Sequence, residues 1–177
     1  MRILNLYASL SGNTARVARA VTQAAEDAGH EVHAVQAPTD EEVDVLGYDF
    51  VFLGTGVYQW LPAKPLMELL NPRLRAYREA GEVRLACPKR PGKKAAVYCT
   101  YGGPHTGVAE AVPAAKWLGQ FLEHLGFDVL AEWYVVGEFH GKLAANNTGG
   151  RLGDIRGRPT EEDLRRVAEQ VAAILRV

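Results

Sequence analysis

Cysteine is scarce in this chain: Cys87 and Cys99 are the only two among 177 residues. They form no C-x-x-C pair and no cluster-ligating spacing, which speaks against an iron–sulfur or other metal centre and for a reducing cytoplasm. No apolar run approaches 18 residues, so no membrane span is predicted. The amino terminus lacks a basic stretch and a small-residue cleavage site, so no signal peptide is predicted. An excess of either charge is also missing: 20 basic residues stand against 21 acidic ones. That balance favours neither nucleic acid nor a membrane surface as partner. There is no internal repeat. A length of 177 residues with 47% hydrophobic content fits one domain, 1–177, large enough to bury about 70% of its unfolded surface.

The charges are unevenly placed. Residues 37–50 carry Asp40, Glu41, Glu42, Asp44 and Asp49 with no base, whereas residues 71–94 carry five arginines and three lysines against two glutamates. Such blocks form solvated faces or orient a partner.

Residues 3–21 organise the rest. Ile3–Ala8 reads as a strand buried on both faces, Ser9–Thr14 as a tight polar loop, and Val17, Val21, Ala24, Ala25 and Ala28 as one face of a helix. A strand that enters a helix through a short loop aims several backbone N–H groups and the positive helix end at one point, which is an anion site suited to phosphate. The loop has no lysine, so it is not a nucleotide P-loop, and a single glycine, so it is not a dinucleotide fingerprint. Ser9, Ser11, Asn13 and Thr14 around Gly12 leave neutral donors sized for one terminal phosphate.

The stretch Tyr7–Val21, with its hydroxyl–x–hydroxyl–Gly–Asn–Thr core and Ala/Val helix, resembles the FMN phosphate loop of the flavodoxin family. Further along, 31–36, 48–54, 94–100 and 128–136 read as strands, and helices are expected from 65, around 117–125 and from 160. Residues 71–93, with Pro72, Pro88 and Pro91, read as loop with at most a short helix. Strands alternating with helices predict a five-stranded parallel sheet covered on both faces. The resemblance implies a doubly wound sheet of order 2-1-3-4-5. In that order the loops after strands one, three and four meet at one crevice.

The resemblance assigns each loop a task. Ser9, Leu10, Ser11, Gly12, Asn13 and Thr14 would hold the phosphate. Thr55, Gly56, Val57, Tyr58, Gln59 and Trp60 would border the flavin ring, with Tyr58 or Trp60 stacked on it. Thr100, Tyr101, Gly102 and Gly103 would close the pyrimidine side, with His105 beside them as a solvated or substrate-facing group. Cys99 reads as core. Residues 137–159, with six glycines, have no place in a minimal flavodoxin and are expected to be a mobile lid or partner surface, or else disordered. The expected function is an FMN-binding electron carrier acting with a redox partner protein. The alternative is an NAD(P)H-dependent FMN or quinone reductase, with His105 or His140 near the substrate and the basic block receiving nucleotide phosphates. A third reading is a binding module of the same fold without FMN.

Overall fold

The computed structural model describes residues 1–176. In chain order its elements are β1 (Arg2–Ala8), α1 (Asn13–Asp27), β2 (Glu31–Ala37), β3 (Phe50–Tyr58), β4 (Leu61–Pro62) and α2 (Lys64–Glu79). After these come β5 (Lys94–Tyr101), α3 (Val112–His124), β6 (Asp128–Val136), the single turn α4 (Asn146–Gly149) and α5 (Glu161–Ile174). The sheet runs β2-β1-β3-β5-β6 with parallel neighbours throughout, and β4 folds back antiparallel on β3. With β4 set aside, this is the expected 2-1-3-4-5 order.

Alternation along the strands divides the core into two layers. Leu4, Leu6, Val51, Leu53 and Val97 face α2 and α3, while Ile3, Phe50, Phe52 and Tyr98 face α1 and α5. Each fully buried leucine or phenylalanine contributes about 1.5–3 kcal/mol relative to exposure. On the α1 side one polar residue is sealed into this layer. Asn5 is fully buried, donates to Ala18 O (2.9 Å) and Thr22 Oγ1 (3.0 Å), and accepts from Tyr98 Oη (2.8 Å). The Tyr98 ring crosses β3 at Gly54, where a Cβ would lie 2.0 Å from Cζ. Gly54 is therefore a packing glycine within β3, not part of a loop.

Three expectations change. Helix α2 runs through Pro72 to Glu79 instead of breaking there. Leu66 and Leu70 anchor its first half, and Leu74 and Tyr77 pack on the same core beyond the proline. Arg73 fastens the weakened turn by donating to Leu69 O, Val43 O and Glu41 O. The two charged blocks thus lie against each other, with Tyr77 Oη also donating to Asp44. Thirdly, the 137–159 segment is folded, as described below. The last helix begins as expected: Thr160 accepts from Asp163 N, and the Asp163 carboxylate accepts from Thr160 N. Among the described residues no helix is long and apolar enough to cross a membrane, and no cluster of three potential metal ligands occurs.

Gly54→Ala should lower the unfolding free energy by about 3 kcal/mol through overpacking against Tyr98. Tyr98→Phe, which strips Asn5 Oδ1 of its donor, should cost about 1–2 kcal/mol. Urea unfolding of both variants checks this. A change below 1 kcal/mol for Gly54→Ala would mean that the ring does not cross at that glycine.

Candidate functional site

The carboxyl ends of β1, β3 and β5 open into one cleft of about 580 Å³. Its walls are the β1–α1 loop, the β3–β4 hairpin and the loop after β5. The chain leaving β6 adds a fourth, through Glu138, Phe139, His140, Leu143 and Asn146.

The β1–α1 loop is built to present an uncompensated helix end. Gly12, at φ 91°, is the N-cap and offers no side chain, and α1 has no acidic residue in its first turn. The contrast is α5, which has a capping box and three acids in its first turn. Four N–H groups at a helix start lack intrahelical partners. Here Ser9 Oγ takes that of Ala15 at 3.0 Å, so this hydroxyl serves the loop itself and does not line the cleft. Thr14 is also turned inward, its hydroxyl 2.8 Å from that of Thr100, a contact that ties α1 to β5. Ser11 and Asn13 line the cleft, whereas Ser9, Leu10, Gly12 and Thr14 contribute backbone. The Asn13 amide nitrogen donates to Glu138 O at 2.8 Å.

The β3–β4 connection is a two-residue hairpin in which Tyr58 pairs with Leu61. Both turn residues, Gln59 (φ 49°) and Trp60 (φ 67°), are left-handed. Trp60 stands 60% exposed at the tip, over the cleft mouth. Tyr58 folds back over Gly56, where a Cβ would lie 3.0 Å from its ring. Burial raises its pKa, and the Ser11 side chain and the Leu10 N–H, which face the hydroxyl, pull it back. Thr55 is fully buried and accepts from Ala63 N at 2.8 Å, which makes it a brace for the start of α2 rather than a cleft residue.

Beyond β5, Thr100, Tyr101, Gly102, Gly103 and His105 all line the cleft. Tyr101 does so only with its edge, since its ring is packed in the core at 9% exposure. Burial raises its pKa against the lowering effect of Arg158. His105 sits at the exposed rim, and its backbone N–H donates to Glu110. Cys99 is sealed in the core, its thiol pushed up to about 12 by burial and then by Glu132.

The fourth wall replaces the mobile segment that six glycines suggested. Asn147, 4% exposed, clamps Phe139 through both backbone groups, accepting from its N (2.7 Å) and donating to its O (2.9 Å). Phe139 rests on Gly102, where a Cβ would come within 2.2 Å of the ring. Ile155 is buried and its N–H donates to Asn147 O, while Arg151 N–H donates to Pro104 O. The glycines supply turns; the hydrogen bonds supply order. No sequence spacing links residue 139 to residue 102, so only the aromatic and apolar side chains of the segment hinted that it docks.

The basic block is remote from all this. Lys89 pairs with Asp128, Arg90 with Glu82 and Leu125 O, and Lys93 with Leu46 O and Tyr48 O. These lie at the amino ends of the strands, opposite the cleft.

The donor set suits a ligand with one anionic end and one flat apolar end. No protein-family model matches the chain, and no curated protein does. Solved structures do. Flavodoxin 1 of Bacillus cereus is 17% identical with a TM-score of 0.69, covering 99% of this chain and 98% of that one. The flavodoxin of Streptococcus pneumoniae TIGR4 is 18% identical with a TM-score of 0.65, each chain covered completely. A WrbA-like flavodoxin from Agrobacterium tumefaciens is 13% identical with a TM-score of 0.59, covering 99% and 95%. The fold is that of the flavodoxins.

Asn147→Ala leaves the N–H and C=O of Phe139 without partners, at a cost of about 1–3 kcal/mol each when such groups stay buried. Hydrogen exchange of residues 138–156 should accelerate at least tenfold while β1 and β3 keep their protection. Uniform protection throughout would show that the wall does not depend on this clamp.

Proposed function

We propose that this chain, folded as a flavodoxin, is an FMN-binding flavoprotein that passes electrons to or from a partner. The observation that carries the reading is an uncompensated helix start opening into an apolar slot at the switch point of the sheet. FMN has one terminal phosphate and one planar ring, and both ends meet matching groups. Ser11 and the backbone N–H groups of Leu10 to Thr14 suit the phosphate. The hairpin 56–60 and the Gly102–Gly103 backbone border a flat space, with Phe139 behind it. No second set of phosphate donors is available for a dinucleotide. When bound, FMN supplies one- and two-electron chemistry. The chain's part is to hold the phosphate with neutral donors, cover one ring face with Trp60, and exclude water along the Phe139 wall.

Carrier work is favoured over NAD(P)H-dependent reduction by the placement of charge. The cations that would receive nucleotide phosphates are spent at the far end of the sheet. Around the cleft mouth, by contrast, Leu10, Trp60, Leu61, Val108 and Leu143 stand exposed, an apolar rim of the kind that marks an interaction surface. A redox partner seated there would approach the ring edge closely.

Two outcomes follow. FMN should bind at least about a hundredfold more tightly than riboflavin by calorimetry, because each hydrogen bond to a charged group contributes about 1.5–3 kcal/mol. Equal affinities would sink the reading. Trp60→Ala should raise the fluorescence of bound FMN several-fold by removing a stacked quencher; unchanged fluorescence would assign the stacking elsewhere.

A further inference from the structure

We propose that Tyr58 is a phosphate-binding residue whose phenol O–H donates to the phosphate from across the cleft, supplying the donor that a lysine gives in other loops. This rests on the FMN reading above. Tyr58 ends β3, and β3 is the immediate neighbour of β1, with Thr55 beside Ala8. A side chain folded back along β3 therefore lies next to the β1–α1 loop. Gly56 permits that fold, since a Cβ there would sit 3.0 Å from Tyr58 Cε2 and 3.1 Å from Oη.

The hydroxyl then faces two donors, the Ser11 side chain and the Leu10 N–H. A phenol oxygen accepts up to two hydrogen bonds and gives one. With both acceptor positions directed at the loop, its own hydrogen points away from it. Among the described residues no protein acceptor for that hydrogen occurs. It is left facing the space in front of the α1 start, which Ser11, Asn13 and Tyr58 line together.

Cations are lacking at this point. The loop carries none, and the Arg16 guanidinium is turned to Glu161 at 3.4 Å. A neutral donor adds to the anion's partners without a counter-charge. Burial holds the phenol protonated, against the smaller opposing effects of Ser11 and Leu10, so the donor persists at neutral pH. The ring is committed to this position and is not the stacking aromatic, which leaves that role to Trp60.

The test is calorimetric titration of the intact chain and its Tyr58→Phe variant with FMN and with riboflavin. Thermal melts alongside verify that the variant folds. Tyr58→Phe should weaken FMN by about ten- to a hundredfold, leave riboflavin within twofold, and leave the quenching of bound flavin unchanged. Equal losses for both ligands would make Tyr58 a ring contact and overturn the proposal. No loss would make the hydroxyl a spectator. Tighter FMN binding would make it a competitor of the phosphate for the Leu10 N–H. If the parent binds neither flavin, the FMN reading falls on its own. Inorganic phosphate then decides for Tyr58, through amide shifts of residues 10–14, and identical titrations of parent and variant would overturn the proposal as well.

Discussion

One buried amide sets the geometry on which the cleft depends. Asn5 sits fully enclosed in the middle of the sheet and binds α1 at Ala18 and Thr22 and β5 at Tyr98. A buried polar side chain is stable only when every partner is in place, so these three contacts fix the axis of α1 against the sheet. The Thr14–Thr100 hydroxyl pair repeats the link one turn nearer the cleft. Between them, α1 cannot roll or slide without leaving buried groups unpaired. Its amino terminus is therefore held at the switch point between β1 and β3. Gly54 is the condition for all of this, because only the absence of a Cβ lets Tyr98 reach across β3.

What was legible in the sequence was local. The β1–loop–α1 unit, the strands and the capping box at Thr160 are each specified by residues within a few positions, and the structure has them. The β3–β4 hairpin was not legible. A two-residue hairpin turn needs positive φ at both central positions and is usually announced by Asn-Gly or Asp-Gly. Here Gln59 and Trp60 hold those positions. The glycines that looked like loop markers, Gly54 and Gly56, are instead the two points where a tyrosine crosses the strand. Pro72 misled for a related reason: a proline signals a break, but Leu74 and Tyr77 beyond it are drawn to the same core as Leu66 and Leu70.

The 137–159 segment shows the same limit from the other side. Composition described it as mobile, with six glycines and few regular elements. Its order comes from partners more than a hundred residues away or on a neighbouring loop. Asn13 binds Glu138 O, Gly102 receives the Phe139 ring, and Pro104 O accepts from Arg151. Gly137 is part of this fit, since a Cβ there would come within 2.7 Å of the Asn13 amide nitrogen. Residues of the phosphate-type loop and of the loop after β5 thus serve two purposes, lining the cleft and anchoring its fourth wall.

This sharing explains how a cleft with no free cation at its phosphate-type loop can still be selective. An anion at the α1 start would be held by neutral groups only, each weak and dependent on geometry, so rigidity has to do what charge does elsewhere. The strained turn at Gln59 and Trp60 belongs to the same logic. Left-handed conformations cost non-glycine residues about 1–2 kcal/mol each, and they persist only where the surroundings over-determine them. Pairing of Tyr58 with Leu61 and the seat of the Tyr58 ring on Gly56 provide that constraint. The consequence is that Trp60 projects at a fixed angle over the cleft mouth while Tyr58 turns inward to the loop. One short hairpin places an apolar ring at the wide end of the cleft and a hydroxyl at its anionic end, which is the polarity that a flat ligand with one phosphate requires.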